Sequence, residues 1–323
     1  MSSLLDAAIL VGKETTYGTP VTLARSYEGK ADSFKRAQEY IHSTGFRAGM
    51  QAKRSDRVTA INMGGEGTLE FDILTAGLGL LGQGMLGSVT GPAQVAATSA
   101  YTSTFATTAE DPRDSFTVQV QRPDMGGDLR SFTHHGSTIT GWSITQDVGG
   151  LLVASLNFDF EDVDTATGAG TNAYPTAVPF NWTQSVITLD GDASDVMAFS
   201  LDADLALTTD RRFLRGSGLK KQPVRSGVPT FTGNVDMEFN DLTEYADFVS
   251  GKIIPITFTA TGGLIEAGHN FSVTITLAAC QYTGTSPETS LSDVPKISLP
   301  FEVLHNGTDP AVSIAYKSTD TAL

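Results

Sequence analysis

The side chains able to do chemistry are few, and their spacing gives them little to do together. The five histidines are His42, His134, His135, His269 and His305. His134 and His135 are adjacent in a strand-like run, so they face opposite ways. The other three sit near turn residues, and no pair has metal-ligand spacing. Asp190, Asp192 and Asp195 crowd around Gly191, but the distal Glu of a calcium loop is missing. They read as a solvated turn. No nucleophile elbow is present. Cys280 is the lone cysteine and lies in an apolar run, so it cannot make an internal disulfide. A reducing compartment follows as the default. Gly77-Leu78-Gly79-Leu80-Leu81-Gly82 fits the dinucleotide fingerprint. Yet the strand before it is half polar, and no acidic ribose partner lies about twenty residues on. A glycine-rich packing helix within 74–87 is expected instead. No catalysis, metal or cofactor is expected.

Carboxylates set along strands are the stronger signal. In Gly65-Glu66-Gly67-Thr68-Leu69-Glu70-Phe71-Asp72, Leu69 and Phe71 point one way, and Glu66, Glu70 and Asp72 the other. The run returns as Gly233-Asn234-Val235-Asp236-Met237-Glu238-Phe239-Asn240, with Asp236 and Glu238 opposite Val235, Met237 and Phe239. Each is a strand buried on one face only. Two basic clusters contrast with them. Residues 45–57 hold Arg47, Lys53, Arg54 and Arg57; residues 211–225 hold Arg211, Arg212, Arg215, Lys220, Lys221 and Arg225. Together they are ten of the 21 Lys and Arg in a chain of net charge −15. That balance argues against a protein gripping nucleic acid along its surface.

Positioning these groups takes a duplicated β framework. Besides the two glycine-led strands, Ser43–Phe46 is similar to Gly216–Leu219, residues 115–120 to 270–275, and 155–160 to 298–303. The order is the same in both halves. The expected division is an N-terminal arm (1–32), a first domain (33–162), a linker rich in Gly, Thr, Ala and Pro (163–183), and a second domain (184–323). First-half strands are expected at 66–74, 115–121, 130–134, 138–146 and 151–161, with 88–110 an inserted loop. Second-half strands are expected near 185–189, 196–208, 230–240, 253–260, 270–278 and 296–304, with one more in the tail. A short amphipathic helix at 242–249 matches the glycine-rich one. The start lacks the basic residues of a signal peptide, and no stretch reaches the length of a membrane span.

The chain resembles the major tail tube proteins of long-tailed, non-contractile bacteriophages. The residues carrying this are Gly12-Lys13-Glu14-Thr15-Thr16-Tyr17-Gly18-Thr19-Pro20, the paired strands after Phe199, and the Gly233–Asn240 strand. Tyr245 and Phe248 of the helix, Gly251-Lys252, and the strands Asn270–Leu277 and Pro295–Leu304 complete it. The resemblance implies a mainly β fold, here two tandem tube-type sandwich or barrel-segment domains, each with a flanking helix. Subunits would join edge to edge into rings with a β-barrel inner wall, and rings would stack into a tube. Duplication suggests three chains in a pseudo-sixfold ring, with a ring of six as the alternative. The carboxylates named above would line a lumen that DNA crosses without specific binding, and the basic loops would dock on the neighbouring ring. Tape measure, tail terminator and distal tail proteins are the implied partners. The virion tail is the implied location, with assembly in the host cytoplasm. Another tube-fold component (distal tail or contractile inner tube) and an unrelated β-sandwich binding module are the competing readings.

Overall fold

The computed structural model describes all residues except 1–3, 24, 46, 109–113, 267 and 285–293. Phe46, used in one repeat match, lies outside the described residues. The fold is mainly β. Strands β1 (Ala8–Lys13) and β2 (Arg25–Tyr27) pair with each other. Two short strands follow, β3 (Gly29–Asp32) and β4 (Lys35–Arg36), then a hairpin of β5 (Tyr40–His42) and β6 (Val58–Ala60). Strand β7 (Gly65–Asp72) pairs back on β3 and β4. After helix α1 (Gly79–Leu86) come the hairpin β8 (Ser88–Gln94)–β9 (Tyr101–Ala106), then β10 (Phe116–Pro123), β11 (Leu129–Asp147), β12 (Val153–Phe160) and β13 (Asp162–Asp164).

The second half opens with β14 (Ser185–Leu189) and β15 (Asp192–Ser194). Then follow β16 (Val196–Asp204), a hairpin of β17 (Leu207–Thr208) and β18 (Val224–Arg225), and β19 (Thr230–Glu238). Helix α2 (Thr243–Ser250), β20 (Ile253–Glu266), β21 (His269–Tyr282), β22 (Lys296–Val303) and β23 (Val312–Ser318) finish the chain.

One layer runs β3/β4–β7–β12–β11–β16–β19–β22 and ends on the last residues of β21. Opposite it, β2–β1–β10–β11–β13 covers the first half and β15–β14–β20–β21–β23–β9–β8 the second. Strands β11 and β21 are long enough to belong to both layers. Between the layers lie apolar side chains such as Phe199 and Phe258, stacked with centroids 5.2 Å apart. In β7 the pattern is simple: Leu69 and Phe71 go inward, Glu66 outward. Such alternation is what burying one face of a strand requires.

The order β7, α1, β10, β11, β12 in the first half is repeated by β19, α2, β20, β21, β22 in the second. This corrects one repeat match. Residues 116–120 of the match lie in β10, whose place by order is taken by β20, whereas 270–275 lie in β21. Alternating strands of similar composition made the wrong partner look right. A second correction concerns residues 88–110, expected as a loop. They hold β8 and β9, and β9 pairs with β23, joining the first half to the far sheet of the second. Small and polar residues such as Thr90, Gly91, Ala93, Gln94 and Ser99 are exposed there, and among the described residues only Phe105 is a fully buried large side chain. Residues 130–146, read as two strands, form one.

The segment 165–175 is held against the first half rather than hanging free. Gln119 Nε2 donates to the Gly168 carbonyl (3.1 Å), and its Oε1 accepts from Gly170 N–H (2.7 Å). Gln121 Nε2 donates to the Gly170 carbonyl (2.9 Å), and Ala173 N–H to Ser26 Oγ (2.8 Å).

The glycines of α1 are packing residues. A methyl group at Gly82 would stand 2.9 Å from the Phe105 ring, and one at Gly84 would stand 2.7 Å from Phe116. The helix closes against aromatic rings, which leaves no room for a pyrophosphate. Trp142 Nε1 donates to the Met85 carbonyl near its end (2.9 Å).

His134 sits between Phe34 and Phe160, with centroid distances of 4.8 and 4.7 Å. Burial lowers its pKa to about 4, against the opposing bond from Nδ1 to the Val118 carbonyl. The unfolded chain therefore takes up a proton between pH 6.5 and 4 that the folded chain refuses. Stability present above pH 6.5 should be lost as pH falls through that window, by roughly 3 kcal/mol at its lower end. Urea midpoints measured from pH 7 to 4.5 should fall more steeply for the native chain than for His134→Phe. Parallel curves would rule this out.

Candidate functional site

The register places all five strand carboxylates on one face of one continuous sheet. Glu66 pairs across to Asp159, Thr68 to Asn157, and Glu70 to Ser155. Ser155 meets Ser143, and Ser143 meets Asp202 of the second half. Asp202 meets Thr232, and Thr232 meets Glu302. Directly opposed residues share a face, so Glu66, Glu70, Asp72, Asp236 and Glu238 belong to one polar surface. Asp72 is tied to Lys30 at 2.6 Å, and Asp236 accepts from Asn234 at 2.7 Å. Glu66 and Glu238 are exposed. The register adds Asp147, Asp159, Asp202, Asp204 and Glu302 to this face. Burial raises the pKa of Asp202. Its signal was the alternation Ser200, Asp202, Asp204 against Phe199, Leu201, Ala203. Between the carboxylates the face is mostly Ser, Thr and Asn, with Lys35 and Lys296 at its margins.

The two basic segments are the tips of two hairpins in matching places. One hairpin, β5–β6, lies between β4 and β7; the other, β17–β18, lies between β16 and β19. Most of the first is exposed among the described residues, including Tyr40, Ile41 and Val58. Arg47, Lys53 and Arg57 are exposed, and Arg54 Nε donates to Asp56 Oδ1 at 2.7 Å. The second hairpin leans on the base of the first: Met63 N–H donates to the Gly218 carbonyl at 3.1 Å. Its guanidiniums hold the loop itself together. Arg211 donates to the Gln222 carbonyl (2.7 Å), Arg212 to the Gly218 carbonyl (2.6 Å), and Arg215 to the Leu219 carbonyl (3.0 Å). Lys221 lies over the Phe213 ring, and Arg225 reaches the Thr108 carbonyl. Phe213 and Leu214 are exposed at the tip.

Lys220 is a correction to the docking set. It is buried, pairs with Asp159, and its Nζ lies 3.4 Å from the Gly65 carbonyl. A buried ammonium already paired within its own chain is not available to another ring. Sequence reasoning missed this because a charge run is ordinarily solvated.

The remaining reactive groups do not converge. Cys280 is buried, and desolvation pushes its thiol up to about 12. Asp190 meets Lys252 at 2.9 Å. Among the described residues no three His, Cys, Asp or Glu side chains could share a metal ion, and no helix is long and apolar enough to cross a membrane.

The two helices differ in a telling way. In α1, Gly79, Leu80, Leu81, Gly82, Met85 and Leu86 are buried, because β9 and β11 of its own half and β23 of the second half pack against it. In α2 no residue is buried, and Leu242 beside it, Tyr245 and Val249 are exposed.

A sheet running unbroken through the whole chain, polar on one face and carrying paired hairpins, is the architecture of a wall-building structural subunit. The chain belongs to the phage tail tube protein family: the family's model, described as phage tail tube protein, matches residues 5–303. No curated protein matches it. It is thus a structural component of the virion tail that assembles with itself and other tail proteins into the tube.

Proposed function

We propose that three copies close into a ring with six similar positions, and that stacked rings form the tail tube of a long-tailed, non-contractile phage. The observation that carries this is the seam inside the chain. Residues Gly141–Asp147 of β11 pair with Ala198–Asp204 of β16, the strands at which the two units adjoin in this layer. Beside β7, strands β3 and β4 hold the place that β16 holds beside β19. At the other end, β21 meets β22 as β11 meets β12. Joining β3–β4 of one chain to the β22–β21 end of another repeats the internal seam and removes open edges. The exposed face of α2 supports the same reading, since β23 of the next unit completes the cover over α1 and α2 has no next unit within one chain. Two tube domains per chain, with an arm and a linker, are the corresponding organisation.

In this arrangement the polar face lines the channel. A wall of carboxylates and small neutral groups repels phosphates and lets DNA slide, whereas a cationic wall would hold it by counterion release. The hairpins reach neighbouring units and rings. Tape measure protein within the tube, and terminator and distal tail proteins at its ends, complete the tail, assembled in the host cytoplasm before DNA ejection.

Mass measurement and electron microscopy of the purified protein test the ring. Three chains per ring and hollow tubes are expected; six chains per ring would overturn the stoichiometry, and a persistent monomer the whole reading. Reversing Glu66, Glu70, Asp72, Asp236 and Glu238 to lysine tests the lumen. Tubes of normal length should still form, while infectivity falls by about a hundredfold as DNA is retained in transit. Full infectivity of such a phage would remove the lumen assignment.

A further inference from the structure

The internal seam also identifies a residue pair for the contact between chains. Inside one chain the tip of the β17–β18 hairpin crosses onto the first unit and places Lys220 on Asp159. Asp159 is the penultimate residue of β12; the penultimate residue of β22 is Glu302. Lys220 precedes Val224, the first residue of β18, by four positions. Arg54 precedes Val58, the first residue of β6, by the same four. Counted to the first residue of the second hairpin strand, Arg54 takes the place of Lys220.

The two acids are in different states. Asp159 is covered by its lysine. Glu302 is exposed, on the rim of a cleft of about 590 Å³ lined also by Thr230, Phe231, Val303 and Leu304. Arg54 in the single chain has only the neighbouring, solvent-facing Asp56 as its carboxylate partner among the bonds described. Arg54 and Glu302 carry opposite charge, on the hairpin beside β4 and on β22 toward the other end of the layer.

We infer that, in the assembled ring, Arg54 of one chain pairs with Glu302 of the next, closing over that carboxylate as Lys220 closes over Asp159. The inference rests on the ring reading above. It makes part of the first basic loop a lock between neighbours around the ring. The guanidinium exchanges a solvated aspartate for a partly enclosed glutamate and pairs with its carboxylate through two N–H donors.

Paired cysteines test it. Arg54→Cys together with Glu302→Cys, assembled and then mildly oxidised, should give covalently linked dimers and closed trimers on a denaturing gel. Either cysteine alone should give none. Cys280 can stay, since it is buried in the core. A charge exchange gives the second readout. Arg54→Glu alone and Glu302→Arg alone should each lower the assembled fraction by about a hundredfold, because like charges then meet in the closed contact. The double exchange should restore assembly. Rings of the double-cysteine chain whose thiols stay free, or single charge exchanges that assemble normally, overturn the pair and leave the ring reading standing. A wild-type chain that forms no rings overturns both.

Discussion

Lys220→Met should destabilise the folded chain by about 3–5 kcal/mol at neutral pH, the cost of leaving a buried charge without its partner. Lys220 and Asp159 are both nearly covered, and Asp159 Oδ2 has no hydrogen-bond partner of its own. Burial raises the Asp159 pKa, and the bond to Lys220 pulls it down. Without the ammonium the pKa rises further, so the folded variant takes up a proton where the unfolded chain does not. A raised folded-state pKa gives stability that is complete below the unfolded value and lost as pH rises through the folded one. The variant should therefore approach the parent in stability as the buffer is made more acidic. Adding Asp159→Asn should recover much of the loss at pH 7, because a neutral amide is cheaper to bury. Denaturant midpoints at pH 7 and pH 5 for the parent, the single and the double variant measure this. A single variant within 1 kcal/mol of the parent at pH 7 would mean that the pair is solvated.

That pair also shows where the sequence stops being readable. Leu69, Phe71, Val235 and Met237 alternate with polar residues, so β7, β19 and their polar faces follow from period two alone. Helices α1 and α2 are legible because a glycine-rich apolar run follows the first of those strands and a short amphipathic run the second. A face is a local property and can be counted. A partner is not. Nothing near Lys220 in sequence distinguishes it from Lys221, yet one is buried on a carboxylate 61 residues away and the other is exposed. Strands β8 and β9 were hidden for a related reason. Their Ser and Thr look like loop residues until β23, from the far end of the chain, supplies the edge they pair with. The mismatch of β10 with β21 has the same origin: alternating strands carry their face in the sequence but not their neighbour.

Glu14→Ala should cost about 3–5 kcal/mol, because the carboxylate closes four hydrogen bonds in a buried site. Its Oε2 accepts from Gly18 N–H (3.0 Å) and Ser115 Oγ (2.8 Å); its Oε1 accepts from Thr117 Oγ1 (3.0 Å) and Gly136 N–H (2.9 Å). Glu14 is buried, and these bonds tie the segment after β1 to β10 and to the middle of β11. Both backbone donors depend on glycine. Gly18 at φ +74° and Gly136 at φ +65° turn their N–H groups inward in a conformation that side chains disfavour. Tyr17 fills the space above Gly136, where an added methyl would stand 3.0 Å from its ring. The run Lys13-Glu14-Thr15-Thr16-Tyr17-Gly18 is thus a clasp that fastens the start of the chain to the wall. Glu14→Gln separates charge from shape. Each carboxylate oxygen serves one backbone N–H, and an amide keeps only one acceptor, so one N–H must face an NH₂ group. The glutamine variant should fall between the parent and the alanine variant in thermal unfolding. Hydrogen exchange at Gly18 and Gly136 should accelerate in both variants before the β7 amides are affected, since the clasp opens locally before the sheet does. An alanine variant as stable as the parent, with those two amides still protected, would show that the four donors find other partners.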